Sequence, residues 1–143
     1  DSGAKVLEYN VRFGDPETQS IMVRLDTDLV EICQAILSQT LDKLEIKWKP
    51  GSSACVVLAA ENYPAKPRTG DIIEGLEIVD NAFVFHAGTA RNDQGNFVTA
   101  GGRVLGVTAN GENLDEALSK VYEAVSRINW AGMHYRKDIG KTL

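Results

Sequence analysis

Lys5-Val-Leu-Glu-Tyr-Asn-Val-Arg-Phe-Gly-Asp-Pro-Glu17 reads as a strand, a sharp turn and a helix start. Successive side chains of an extended segment point to opposite faces. Lys5, Leu7, Tyr9, Val11 and Phe13 would share one largely apolar face, while Val6, Glu8, Asn10 and Arg12 share the other. Gly14 permits a tight bend, Asp15 is placed to accept from the first free helical N–H groups as N-cap, and Pro16 suits the first helical position. Hard divalent cations prefer oxygen ligands, and magnesium is held by one or two protein groups plus phosphate oxygens and water. Glu8 and the side-chain carbonyl of Asn10 could touch one such ion, and Arg12 offers a planar fork for phosphate or carboxylate. A helix N-terminus beside this row would suit an anionic ligand. On spacing alone, a solvated strand face and an ordinary cap are the commoner explanations.

Working outward, residues 16–25 read as a helix with Ile21, Met22 and Leu25 inward. A second helix follows Asp28 as N-cap, with Glu31 three residues on and Leu29, Ile32, Cys33, Ile36 and Leu37 recurring at helical spacing as a core face. Leu44, Ile46 and Trp48 alternate with charged residues, as in a short strand or an extended connector. Pro50-Gly-Ser-Ser53 is the clearest boundary signal. Beyond it the pattern turns to strands: the apolar run 54–60, then 72–73, 77–79 and 82–86, with Asn92-Asp-Gln-Gly95 as a hairpin turn joining the 82–86 strand to one near 96–99. Arg103 to Ala109 forms the last strand. Asn113 and Glu116 open a helix whose inward stripe is Leu114, Leu118, Val121, Val125 and Ile128.

The fold class expected is α+β: residues 1–50 as one unit, containing a strand-turn-helix and a helical pair, and residues 51–143 as a small β-rich, barrel-like or antiparallel domain with one long helix. The turn residues Asp1-Ser2-Gly3 feed straight into the 5–13 segment, which implies a preceding strand and a start inside a larger domain.

Composition narrows the function. The chain has 143 residues, with 43% hydrophobic and 24% charged residues, as soluble globular proteins have. A formal charge of -5 leaves no basic footprint, which argues against nucleic acid and anionic membranes as partners. No apolar run reaches the roughly 18 residues of a membrane span, and the start is no signal peptide. Cys33 and Cys55 lack Cys-x-x-Cys spacing and read as buried free thiols in a reducing compartment, hence the cytoplasm. His86, ending an apolar strand, reads as a packed, hydrogen-bonded residue and not as a base. Gly101-Gly102 precedes a strand, not a helix, so a bulge or hairpin needing positive φ is expected there and not a phosphate loop. Arg103 could reach a substrate phosphate or form an interdomain ion pair. Arg136-Lys-Asp138 is a charged surface or an interface.

Val6 to Gln19 resembles the metal-site strand of ATP-grasp ligases, in the form characteristic of the glycinamide ribonucleotide synthetases (phosphoribosylamine–glycine ligases). The likeness continues in order through Gly70-Asp-Ile-Ile73, His86-Ala-Gly-Thr89, Thr99-Ala-Gly-Gly-Arg-Val-Leu105 and Arg136-Lys-Asp-Ile-Gly140. It implies that residues 1–50 end an ATP-grasp domain and that upstream domains of the same polypeptide carry the rest of the enzyme. It further implies joining of 5-phosphoribosylamine to glycine with ATP, through glycyl phosphate, in purine biosynthesis. Glu8 and Asn10 would bind Mg2+ or Mn2+, Leu7 would line the nucleotide pocket, Arg12 would steady transferring phosphate or substrate carboxylate, and Asp15 would position the turn or substrate. Without the upstream positioning groups the fragment alone is expected to be inactive. The competing expectations are a non-catalytic module binding a ligand or partner, and another ATP-grasp carboxylate-amine ligase, acting on a different purine intermediate or on biotin.

Overall fold

The computed structural model describes residues 3–141. Its centre is the antiparallel pairing of β1 (Ser52–Ala59) with β5 (Arg103–Gly111), which run side by side from Ser52↔Gly111 to Ala59↔Arg103. β2 (Phe83–His86) adds to the other edge of β5, giving the order β1-β5-β2. A separate two-stranded hairpin joins β3 (Thr89–Arg91) to β4 (Phe97–Thr99). The Asn92–Gly95 turn therefore connects β3 to β4, not β2 to β4 as the sequence suggests. Glu77–Val79, expected as a strand, instead holds part of a 3-10 turn at Leu76–Ile78.

Alternation along β1 sorts the two faces of the sheet. Ala54, Val56 and Leu58, with Leu105, Val107 and Ala109 opposite, form one continuous core with α3 (Leu114–Arg127). That helix starts as its sequence dictates: Asn113 Oδ1 accepts from Glu116 N at 3.0 Å, and Glu116 Oε2 accepts from Glu112 N at 2.8 Å, each supplying a partner to an N–H near the helix start. Ala117, Val121, Ala124 and Val125 are buried against the sheet, while Leu114, the first residue of the expected stripe, is exposed. The tail returns over this core through buried Trp130, an Ala59–His134 bridge and a hydrogen bond from Tyr122 to the Arg136 carbonyl.

The other face of the sheet receives α1 (Glu17–Met22). The docking is polar: Ser53 Oγ donates to the Ser20 carbonyl at 2.8 Å, and Asn110 Nδ2 donates to the Val23 carbonyl at 3.3 Å. α1 is shorter than the 16–25 helix expected, because the chain leaves it for a bridge between Leu25 and Trp48. α2 (Leu29–Leu37) begins as predicted, with Asp28 Oδ1 accepting from Val30 N at 2.7 Å. Its apolar face is not core, however: no residue of α2 is buried, Leu37 is 84% exposed, and Cys33 is exposed where a buried thiol was expected.

The 5–13 segment also departs from the sequence reading. It forms no strand among the described residues, and Val11 is 96% exposed. A strand exists only through hydrogen bonds to a neighbour, and no element of the described chain runs beside this one.

The two cysteines provide a direct check on these placements. Burial pushes the Cys55 thiol up, which lowers the thiolate fraction that alkylating reagents attack. Iodoacetamide is expected to label Cys33 and to leave Cys55 untouched until denaturant is added, as read by mass spectrometry of tryptic peptides. Rapid native labelling of Cys55 would contradict its place beneath α1.

Candidate functional site

Where the loop before α1 meets the end of the β2–β5 pair, the surface opens into a cleft of about 750 Å³. One wall is the loop itself, with Glu8, Asn10, Arg12, the turn at residues 14–16 and the first residues of α1, Glu17 to Gln19. The other is the sheet end, with Phe85, His86 and Arg103.

On the loop wall, Asn10 Nδ2 donates to Glu8 Oε1 at 3.1 Å, so the two side chains converge although the segment is not in a sheet. Arg12 has no ion-pair partner among the described residues, and its guanidinium passes close to Gly14. Leu7 is 98% exposed and does not line the cleft. Of the five site residues expected from the sequence, Glu8, Asn10, Arg12 and Asp15 line this one cleft, and Leu7 lies outside it.

Asp15 does not act as the expected N-cap. Pro16 holds that position without a side-chain cap, and Gly14 N donates to Glu17 Oε1 at 2.8 Å instead. Asp15 is held from two sides: Oδ1 accepts from Gln19 Nε2 at 2.8 Å, and its carbonyl accepts from Arg103 Nη1 at 2.9 Å, with the same nitrogen 3.6 Å from Oδ2. Arg103 therefore ties the far end of the sheet to the turn that follows Glu8 and Asn10. The register explains its reach. Pairing steps from Leu58↔Leu105 to Ala59↔Arg103 and leaves Val104 unmatched, and such a bulge re-aims the side chain beside it.

His86 is the site residue that sequence reasoning set aside. Its Nδ1 shares a hydrogen bond with Thr89 Oγ1 at 3.0 Å, and its ring lies 4.5 Å from the Phe97 ring, so it is indeed packed, yet it also lines the cleft. The available signal was the pair of small-residue runs Ala87-Gly88 and Ala100-Gly101-Gly102, which flank His86 and Arg103. Neither Gly101 nor Gly102 has the positive φ expected for a bulge glycine. They are small for a different reason: Gly101 packs against Gly88, and a Cβ on Gly102 would fall on the Tyr63 ring.

The loop wall therefore pairs one carboxylate with one amide beside an arginine, and of these the Glu8 carboxylate is the hard oxygen ligand a divalent cation prefers. A second arginine and a histidine face them across the same opening.

Fold and cleft together define a small α+β module in which one polar loop is locked onto an antiparallel sheet end. A family model described as "Phosphoribosylglycinamide synthetase, C domain" matches residues 53–142, and the chain belongs to that family. It is 51% identical over 142 residues to a phosphoribosylamine–glycine ligase of Vibrio vulnificus, covering 98% of this chain and 33% of that protein. A phosphoribosylamine–glycine ligase of Vigna unguiculata is 48% identical over 132 residues, 90% of this chain and 42% of that one. In the crystal structure of phosphoribosylamine–glycine ligase from Thermotoga maritima, a similar fold (TM-score 0.73, 36% identity) spans 93% of this chain and 32% of that chain. The chain thus spans about a third of the length of the Vibrio relative it matches. No helix among the described residues is long and apolar enough to cross a membrane.

Proposed function

We propose that this chain works as part of a phosphoribosylamine–glycine ligase, joining 5-phosphoribosylamine to glycine at the expense of ATP in purine biosynthesis. The observation that carries the reading is half identity to relatives of that name over almost the whole chain. In this reading residues 1–50 end an ATP-grasp domain and residues 51–143 form the carboxy-terminal domain. The change from helices to strands at Pro50-Gly51 and a family match beginning at residue 53 support that division.

The side chains of Glu8 and Asn10 lie side by side, with Asn10 Nδ2 donating to Glu8 Oε1, and a turn of the Asn10 amide about its last bond would set its oxygen beside the carboxylate as the second ligand of a magnesium or manganese ion. A cation held there would offset the charge of the nucleotide phosphates that otherwise repels an incoming carboxylate. Arg12, on the same wall, steadies the transferring phosphate or the glycine carboxylate through its planar fork. Asp15, held by Gln19 and Arg103, anchors the turn that follows these groups to the sheet end. Leu7, outside the cleft here, would meet nucleotide only from a surface supplied by the rest of the enzyme. The enzyme would work in the cytoplasm with ATP, glycine and 5-phosphoribosylamine as its small-molecule partners.

The test is phosphate release dependent on ATP, glycine and freshly made 5-phosphoribosylamine. The full-length polypeptide is expected to turn over, and this chain alone to be silent for want of the remaining two-thirds. A full-length polypeptide that releases no glycine-dependent phosphate would overturn the reading.

A further inference from the structure

Gln19 is the cleft residue whose chemistry packing explains least. It sits on α1 four residues beyond Asp15, and its Nε2 donates to Asp15 Oδ1 at 2.8 Å. An ionised carboxylate only accepts, so the amide must present its nitrogen to Asp15 and turn its oxygen away. Oε1 thereby ends shut off from solvent, with no hydrogen-bond partner among the described residues. A buried acceptor left unpaired costs stability, and an apolar side chain of similar length would pack there without that cost. Resting on the ligase reading, we propose that Gln19 is a positioning residue for that reaction: its amide fixes the Asp15 carboxylate and, through it, the turn that follows Arg12.

The sheet is shaped to receive this amide. β5 turns Gly106, Thr108 and Asn110 toward α1, while Leu105, Val107 and Ala109 join the core on the other face. At Gly106 no side chain stands in the way: a Cβ there would lie 3.5 Å from Gln19 Nε2, 3.9 Å from Gln19 Cγ and 3.4 Å from Cys55 Sγ. The Gln19 side chain therefore lies over the β5 backbone, with Cys55 beside it, and reaches from the sheet to the turn. Thr108 and Asn110 also hold buried oxygens without a partner, but neither lines the cleft, whereas Gln19 does. The unpaired oxygen at the cleft is the by-product of a bond made there.

Removing the amide would leave the fold in place and loosen the turn. The Asp15 side chain is 48% exposed, so water replaces the lost donor at Oδ1. α1 keeps its own ties to the sheet, from Ser53 Oγ to the Ser20 carbonyl and from Asn110 Nδ2 to the Val23 carbonyl. The bond from Arg103 to the Asp15 carbonyl also remains, but it holds the backbone and not the direction of the carboxylate. Freed from Gln19, that carboxylate can swing fully onto Arg103, whose Nη1 is now 3.6 Å from Oδ2, and draw the turn after Arg12 with it. A misplacement of roughly 1 Å is enough to slow a reaction that depends on alignment.

The experiment uses the full-length polypeptide with Gln19→Leu and Gln19→Glu, and measures phosphate release dependent on glycine and 5-phosphoribosylamine together with thermal unfolding by circular dichroism. Gln19→Leu removes the unpaired oxygen and should melt no earlier than wild type, yet lose about tenfold in kcat. KM for ATP, glycine and 5-phosphoribosylamine should stay within about twofold, because the lost bond orders groups that act in the transition state and not in binding. Gln19→Glu keeps the length but sets a second carboxylate against Asp15, and should lose more kcat than the leucine variant. A loss of kcat smaller than about threefold in Gln19→Leu overturns the role. So does a loss of activity that comes with an earlier melt, which would make Gln19 a structural tie alone. A wild type that releases no glycine-dependent phosphate overturns the ligase reading and this role with it, whereas an active wild type matched by an equally active Gln19→Leu overturns this role only.

Discussion

On the proposed ligase function, Glu8→Ala in the full-length polypeptide is expected to lower kcat/KM by about a thousandfold, the scale of several kcal/mol of lost transition-state charge stabilisation. The effect is large because the cleft offers few ways to compensate. Asn10 alone is a neutral ligand, and Arg12 beside it repels a cation. Asp15 is engaged by Gln19 and Arg103, and Glu17 by Gly14, so neither can replace the lost carboxylate without breaking the turn. Glu8→Gln keeps the size and one oxygen but not the charge, and should fall between wild type and alanine, with part of its loss recovered at high magnesium. Phosphate release measured across a magnesium series reads both effects. Activity within about tenfold of wild type at every magnesium concentration would be too small a loss for a metal ligand and would reduce Glu8 to a solvated loop residue.

The parts of the fold that sequence makes legible are those decided locally. Asp28 and Asn113 cap α2 and α3 because a short polar side chain can reach an N–H two or three residues ahead, and that geometry is contained in four consecutive residues. The unbroken apolar run at 54–60 marks β1 because a strand covered on both faces has no polar side to show. What escapes is non-local. Nothing in Phe83-Val-Phe-His86 says that its partner is β5, about twenty residues away, in preference to the nearer 97–99 segment. The helical spacing of Ile32, Cys33 and Ile36 records an apolar face without recording what covers it, and among the described residues nothing buries it. The same limit applies to the site. Glu8, Asn10, Arg12 and Asp15 lie close together in sequence, so their sharing one cleft wall is a local matter, whereas Arg103 and His86 reach the same cleft only through a strand register and a glycine crossing.

That crossing carries the second large effect. Gly88→Ala is expected to destabilise the chain by about 3 kcal/mol, the cost of forcing a methyl group into packed surroundings. For a domain of this size the midpoint of thermal unfolding should fall by about 10 °C. The new Cβ would meet Gly101 Cα at 2.7 Å, the Arg103 carbonyl oxygen at 2.8 Å and Gly101 N at 2.9 Å, and all three are backbone atoms that no rotamer change can move. Gly95→Ala is the matched control. Gly95 has φ +84 at the tip of the β3–β4 turn with nothing within 4 Å of its would-be Cβ, so its cost is backbone strain alone, about 1 kcal/mol. Circular dichroism melts of the two variants therefore separate steric exclusion from lost conformational freedom. To relieve the contact, the Ala87–Thr89 and Ala100–Gly102 segments would have to part, breaking the bonds from Gly88 N to the Arg103 carbonyl and from Ala100 N to the Gly88 carbonyl. Arg103 and His86 would separate with them, so the variant that melts earliest should also disturb the sheet-end wall of the cleft, while Gly95→Ala leaves it in place. If Gly88→Ala melts no earlier than Gly95→Ala, the two segments part at little cost, and the close seating of His86 beside Arg103 has no structural cause.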